Sequence, residues 1–211
     1  MRNGLSSPAI RPAAYLMIAA VIAFAAVCGA AQFWRTDLNP LTVPLSIYLN
    51  GAGGAYVRMT YYLMGVALLF FAVAAYRATS APLRSALALA LFAAPGLLLP
   101  AVAATELFKG TPQESLAALA HGLAAQSTFL ALSFGMLLLS SRWRRDPHLS
   151  KSRYLGVSLA WAATAVLWLQ FFVRTLPHGL MQKLLIVLIL LWLAWAARQL
   201  LRATRPRYAG I

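Results

Sequence analysis

The sequence predicts an all-α protein: a polytopic membrane protein with six transmembrane helices in one bundle. Three observations carry that reading. The chain of 211 residues is 62% hydrophobic and only 10% charged, whereas soluble domains run at about 45–50% apolar and about 25% charged. Its apolar residues fall into six runs, each close to the roughly 20 residues that a helix needs to cross a hydrocarbon core. Lysine and arginine collect in alternate connections between the runs. A chain of this length holds several spans and little else, so residues 1–211 read as one domain.

Residues 1–12 are short and polar, with Arg2 and Arg11. The first span is 13–33. Gly29-Ala30-Ala31 would suit a signal-peptide cut, but the apolar run exceeds the about 7–15 residues of such a peptide, so a retained helix is expected. Residues 34–55 form the longest connection. Pro40, Pro44 and Gly51-Ala52-Gly53-Gly54 exclude a continuous helix there, and the glycines read as a flexible entry to the second span, 56–76. The third span, 83–104, contains Pro95 and Pro100. Each removes a backbone donor and tends to kink a helix. The freed carbonyls need partners in lipid, which predicts a helix packed inside the bundle. The fourth span, 115–139, follows a loop holding Glu106, Lys109 and Glu114. The fifth is 154–173. A turn with Pro177 and His178 leads into the sixth, 180–200.

The net charge of +14 reflects a scarcity of acid: Asp37, Glu106, Glu114 and Asp146 are the four. In a soluble protein this balance would indicate nucleic acid. Here the bases flank apolar spans, so no nucleic-acid partner is expected; the expected partners are membrane lipids, with anionic headgroups at the cytoplasmic face. The N-terminus, second connection, fourth connection and tail hold two, two, five and four Lys or Arg, against one each in the first, third and fifth (Arg35, Lys109, Arg174). Arg58 and Lys183 fall inside spans. The positive-inside rule then places both termini in the cytoplasm of a bacterial inner membrane. Arg198, Arg202, Arg205 and Arg207 make the tail a contact for anionic lipid. The lone Cys28 lies in an apolar run, with no CxxC or Cys/His spacing for redox or zinc chemistry.

Polar side chains inside spans are costly and lean towards function. Arg58, Tyr61, Tyr62 and Gly65 share one helix face at i, i+3, i+4, i+7. Glu114, His121 and Thr128 share another, and Gln170 with Arg174 and His178 with Gln182 are pairs four apart. His121 lies about 9 Å along its helix at 1.5 Å per residue. The candidate ligand-binding residues are His121, Glu106, Arg58, Tyr61, Tyr62, Gln182 and Lys183. Arg58 and Lys183 would meet an anionic headgroup, and His121, Glu106 and Gln182 would hydrogen-bond it. The competing readings are helix packing for His121 and a structural ion pair of Arg58 with Glu106 or Asp37. For Tyr48, Tyr61, Tyr62, Trp34 and Phe33 the reading is an interfacial aromatic belt. No HExxH, GxSxG or Gly-x-Ser-Gly is present. Paired axial ligands for a haem are lacking, with only His121 well inside a span. No cofactor and no metal are expected.

Three segments resemble a family: Leu45-Ser46-Ile47-Tyr48-Leu49-Asn50-Gly51-Ala52-Gly53-Gly54, His121-Gly122-Leu123-Ala124-Ala125-Gln126-Ser127-Thr128-Phe129, and Gly179-Leu180-Met181-Gln182-Lys183 with Leu191-Trp192. The chain resembles the bacterial six-helix membrane family catalogued as domain of unknown function nine-nine-eight. The resemblance spans most of the sequence. It implies a six-helix bundle, with His121 and the Gly-rich segment where relatives carry similar residues. That family is itself distantly similar to Frag1-like membrane proteins, some linked to lipid handling, which is a fold-level analogy.

The expected activity is binding or handling of an amphipathic lipid or isoprenoid through a polar pocket on the periplasmic side. The alternatives are a membrane enzyme with His121 as acid or base and a structural or assembly subunit with a membrane protein partner. For the topology, cysteine introduced by Gly110→Cys should be labelled by an impermeant reagent from outside the cell, and that introduced by Ser150→Cys should not. External labelling at position 150 would overturn the orientation.

Overall fold

A backbone amide in hydrocarbon has no water to bond, so each apolar run closes its hydrogen bonds on itself as a helix. The computed structural model describes residues 9–173 and 175–204; Arg2, Arg174, Arg205 and Arg207 of the charge pattern lie outside the described residues. Six helices are long and apolar enough to cross a membrane. They are α1 (Ile10–Trp34), α2 (Gly54–Ala78), α3 (Ala86–Thr105), α4 (Glu114–Trp143), α5 (Arg153–Phe172) and α6 (His178–Ala203). Helices α1, α2, α4 and α6 run past the apolar stretches that predict them at both ends, because helical bonding continues into the polar flanks; α3 begins three residues after its predicted start, behind Pro82, and α5 is shifted by one residue.

Each helix packs on its sequence neighbours, and α6 returns to α1, so the bundle is a closed ring in chain order. Close approach is made by small residues, as in other membrane bundles. At the α2–α3 crossing, a Cβ on Gly65 would come within 2.7 Å of the Gly96 carbonyl, the one that Pro100 leaves without its helical amide. Glycine therefore lets α2 lie against that carbonyl. The expectation that α3 sits inside the bundle is corrected here: α3 takes a place in the ring like its neighbours, with Leu87 and Leu97 exposed.

The two ends of the ring differ. At one end, here the basic end, Arg77, Arg84, Arg142, Arg144, Arg145, Lys151, Arg153, Arg198 and Arg202 surround the helix termini. The interior above them is filled by aromatic rings. Phe71 of α2 meets Phe92 of α3 at 5.3 Å, Phe92 stacks on Trp192 of α6 at 5.4 Å, and Trp195 links Trp192 to Trp143 of α4 at 5.7 and 5.9 Å. Two indole N–H groups are satisfied: Trp192 donates to Ser140 Oγ and Trp143 to Thr79 Oγ1, both at 2.9 Å. The packed rings fill this half, and the bonded N–H groups of Trp143 and Trp192 pin it together.

The other end is covered by residues 35–53, here the cap. A 3₁₀ helix, Leu45–Leu49, turns Leu45, Tyr48 and Leu49 into the bundle. The α6 N-terminus, whose first amides have no intrahelical partner, donates from Gly179 and Leu180 to the carbonyls of Thr42 and Leu41 at 3.2 and 2.8 Å. The glycines are not a loose entry to α2. Gly51 and Gly53 both sit at φ +74°, with Arg35 and Trp34 packed where a side chain would go. The aromatic-belt reading is likewise corrected for Tyr48 and Tyr61, which are buried at 1% and 5% exposure.

Truncating the central ring should be costly. Trp192→Ala is expected to lose about 3–5 kcal/mol, and Trp161→Ala, on the exposed face of α5, about 0.5 kcal/mol or less. Thermal unfolding of the two variants in detergent checks the ranking.

Candidate functional site: a cavity beneath the cap

Between the cap and the aromatic fill the interior of the ring is not filled. It leaves a cavity of about 220 Å³ lined by α1, α2, α3, α4, α6 and the cap, with no residue from α5. Most of the wall is apolar, including Phe24, Met64, Leu68, Leu99, Ile186 and Ile189. Polar groups come from the cap and three helices: Ser46 of the cap, Tyr61 of α2, His121, Gln126 and Thr128 of α4, and His178 and Gln182 of α6. Gly122 and Gln126 line the cavity and are also exposed, so the mouth opens on the flank of α4. Through its first four turns α4 buries only Ala124 and Thr128.

His121 is the best-defined group. Its Nδ1 lies 3.0 Å from Glu106 Oε1 and 3.1 Å from Thr105 Oγ1. Thr105 gives its hydroxyl proton to the Val102 carbonyl at 2.8 Å, and a carboxylate only accepts, so Nδ1 carries the hydrogen shared between them. In the neutral ring Nε2 is then left as an acceptor. The other Glu106 oxygen, Oε2, accepts from Asn50 Nδ2. Both carboxylate oxygens are thus engaged, and the imidazole is held in one orientation from behind.

Asn50 ties this pair to the cap. Its carbonyl accepts from Arg35, and Arg35 binds Asp37 through two bonds of 2.8 Å. Those bonds hold the Asp37 carboxyl below the usual carboxylate range. Tyr48 packs between Lys183, 5.2 Å from its ring, and Arg35, 6.0 Å from it. Burial pushes its hydroxyl above the ordinary tyrosine value.

The predicted site residues divide into two groups. His121, Tyr61 and Gln182 line the cavity, and Glu106 holds His121. Arg58, Lys183 and Tyr62 do not line it. Arg58 donates to the Leu49 carbonyl, and Lys183 donates to the carbonyls of Pro40 and Val43, the latter at 2.9 Å. A cation near hydrocarbon needs acceptors, and the cap carbonyls are the ones in reach. The predicted ion pair of Arg58 with Glu106 or Asp37 is corrected accordingly: Arg35 takes Asp37, and His121 takes Glu106. Gln182 has a double role, since its Oε1 also accepts from the Leu45 amide at 2.8 Å. Glu114 accepts from the Gly110 amide at 2.9 Å and does not join His121.

Sequence reading missed Asn50, Thr105 and Arg35 as parts of the site. The available signal for Asn50 was a polar side chain directly before the Gly-rich turn, and for Arg35 a base just after the first span. Among the described residues no three His, Cys, Asp or Glu side chains gather as a metal site.

A protein-family match covers residues 17–199, to the family described as Protein of unknown function (DUF998). No curated protein and no solved structure matches the chain.

The Arg35–Asp37 bond sets an acid limit on the cap. A carboxyl whose folded value is lowered contributes stability above its unfolded pKa of about 3.9, and that contribution is lost as pH falls through the lowered folded value. Amide protection in 36–50, taken relative to the intrinsic exchange rate at each pH, is therefore expected to fall below about pH 4. Asp37→Asn should lower that protection already at neutral pH and remove the acid step, as hydrogen-exchange mass spectrometry would read.

Proposed function

The chain belongs to the DUF998 family of proteins of unknown function, and we propose that this protein binds or handles an amphipathic membrane molecule, a lipid or isoprenoid. Its polar head would lie at the His121 rim and one apolar chain in the cavity. The observation that supports this is the pairing of a Leu, Ile, Met and Phe wall with a polar rim of His121, Gln126, His178 and Gln182 around about 220 Å³. That space is smaller than the roughly 300–1,000 Å³ that encloses a whole drug-sized ligand. It suits a molecule with one chain inside and the rest in the surrounding hydrocarbon, and the exposed mouth at Gly122 and Gln126 offers a sideways entry. Head recognition falls to His121 Nε2, Gln182 and Tyr61. Arg58 and Lys183 are engaged by the cap. The excess of Lys and Arg at the basic end supports placing that end in the cytoplasm and the cavity on the periplasmic side of a bacterial inner membrane.

One observation favours a second reading, a membrane enzyme. A histidine fixed through Nδ1 by a carboxylate, with Nε2 left towards a cavity, has the arrangement of a general acid or base. Turnover lost in His121→Ala with the bundle intact would support it.

The cavity reading has a clean probe in Gly122. A Cβ there meets nothing within 4 Å, so Gly122→Leu projects into the mouth without displacing a helix. Replacing a helical glycine also contributes up to about 1 kcal/mol. Native mass spectrometry of the purified protein should find a bound amphipath in the original chain and none in Gly122→Leu, with thermal stability kept or raised. An adduct retained unchanged in the variant would overturn the reading. So would a protein as the one stoichiometric companion, which is the outcome expected of an assembly subunit.

A further inference from the structure

The chain's four side-chain carboxylates are all engaged. Asp37 is on Arg35, Glu106 on His121 and Asn50, and Glu114 on the Gly110 amide. Asp146, fully buried, accepts from the amides of Ser80 and His148 at 2.8 and 2.9 Å. Among the described residues, no arginine at the basic end forms an ion pair with a carboxylate. Arg142 is held in place by the carbonyls of Leu83 and Arg84 at 3.1 and 3.3 Å, while Arg144 and Arg145 are exposed.

Two adjoining depressions meet at these arginines. One is a groove of about 680 Å³ between α3 and α5, floored by α4 and ending at Ser141 and Arg144. The second, of about 320 Å³, shares Leu138 and Ser141 with it and carries Arg142 and Arg145. Along α4 the floor runs Phe134, Leu137, Leu138, Ser141 and then Arg144: one stripe at three- and four-residue steps. Polarity along this stripe rises from hydrocarbon to hydroxyl to guanidinium over about 15 Å of helix. The sequence of groups is that of a membrane lipid read from chain to phosphate. The groove shares no lining residue with the cavity beneath the cap.

We propose that this groove is a binding site for one anionic glycerophospholipid of the leaflet at the basic end. An acyl chain lies along Leu87, Leu137, Val157 and Trp161, and the phosphate sits against Arg144 and Arg145 beside Ser141. The uncompensated charge selects an anionic headgroup over a zwitterionic one. The apolar walls select a lipid over a free anion.

The test is lipid titration of the detergent-purified full chain by native mass spectrometry, with phosphatidylglycerol and phosphatidylcholine of matched chains. Each basic side chain is worth about fivefold at an anionic surface. Arg144→Gln with Arg145→Gln is therefore expected to weaken phosphatidylglycerol binding by on the order of tenfold or more, and phosphatidylcholine binding little. Arg198→Gln with Arg202→Gln, a charge-matched change on α6, should have the smaller effect. Val157→Trp, which fills the groove and leaves the arginines in place, should remove the bound lipid of either class. The proposal is overturned if both double variants weaken binding equally, since that is a general surface potential. It is overturned too if inorganic phosphate displaces the lipid while Val157→Trp has no effect, or if Val157→Trp only dissociates a dimer, because a second copy would then be the occupant.

Discussion

A polar atom in hydrocarbon has no water to fall back on, and the backbone and most of the charged side chains inside the bundle meet that constraint from within. The six helices meet it for the backbone. Where a helix starts, the α6 amides of Gly179 and Leu180 turn to the carbonyls of Leu41 and Thr42. At the buried Trp192 and Trp143, the indole N–H finds Ser140 and Thr79. Where charged side chains enter the bundle, Arg58 and Lys183 bond the cap, and Glu106 is held by His121 and Asn50. The cap is in this sense the bonding complement of the helix ends it covers.

The division of labour between the two halves follows. One half is filled by packed aromatic rings of α2, α3 and α6. The other holds its helices through polar bonds at the rim, and these can be satisfied without filling the space they enclose. A cavity with apolar walls and a polar rim results. At the basic end the reverse holds on the outer surface: apolar side chains form a groove whose charged end pairs with no carboxylate among the described residues.

Six helices, their approximate limits and the concentration of charge at one end were legible in the sequence, because each depends on the local run of residues. Run length answers to membrane thickness, and flanking charge to the headgroup region. His121 was legible as a polar group at a shared level, with Glu106 as its partner, since both lie on either side of one short connection. What only the tertiary structure decided was the matching of partners across the ring. Arg58, Lys183, Arg35 and Asn50 are each a polar residue near a helix end, and nothing in their spacing says which carbonyl or carboxylate lies opposite. That depends on α6 returning to α1 and on residues 35–53 folding inward across the gap. The same closure buries Tyr48 and Tyr61, which local spacing had placed at the membrane interface. Hydrophobic length is a property of a segment, whereas a hydrogen-bond partner is a property of which segments become neighbours.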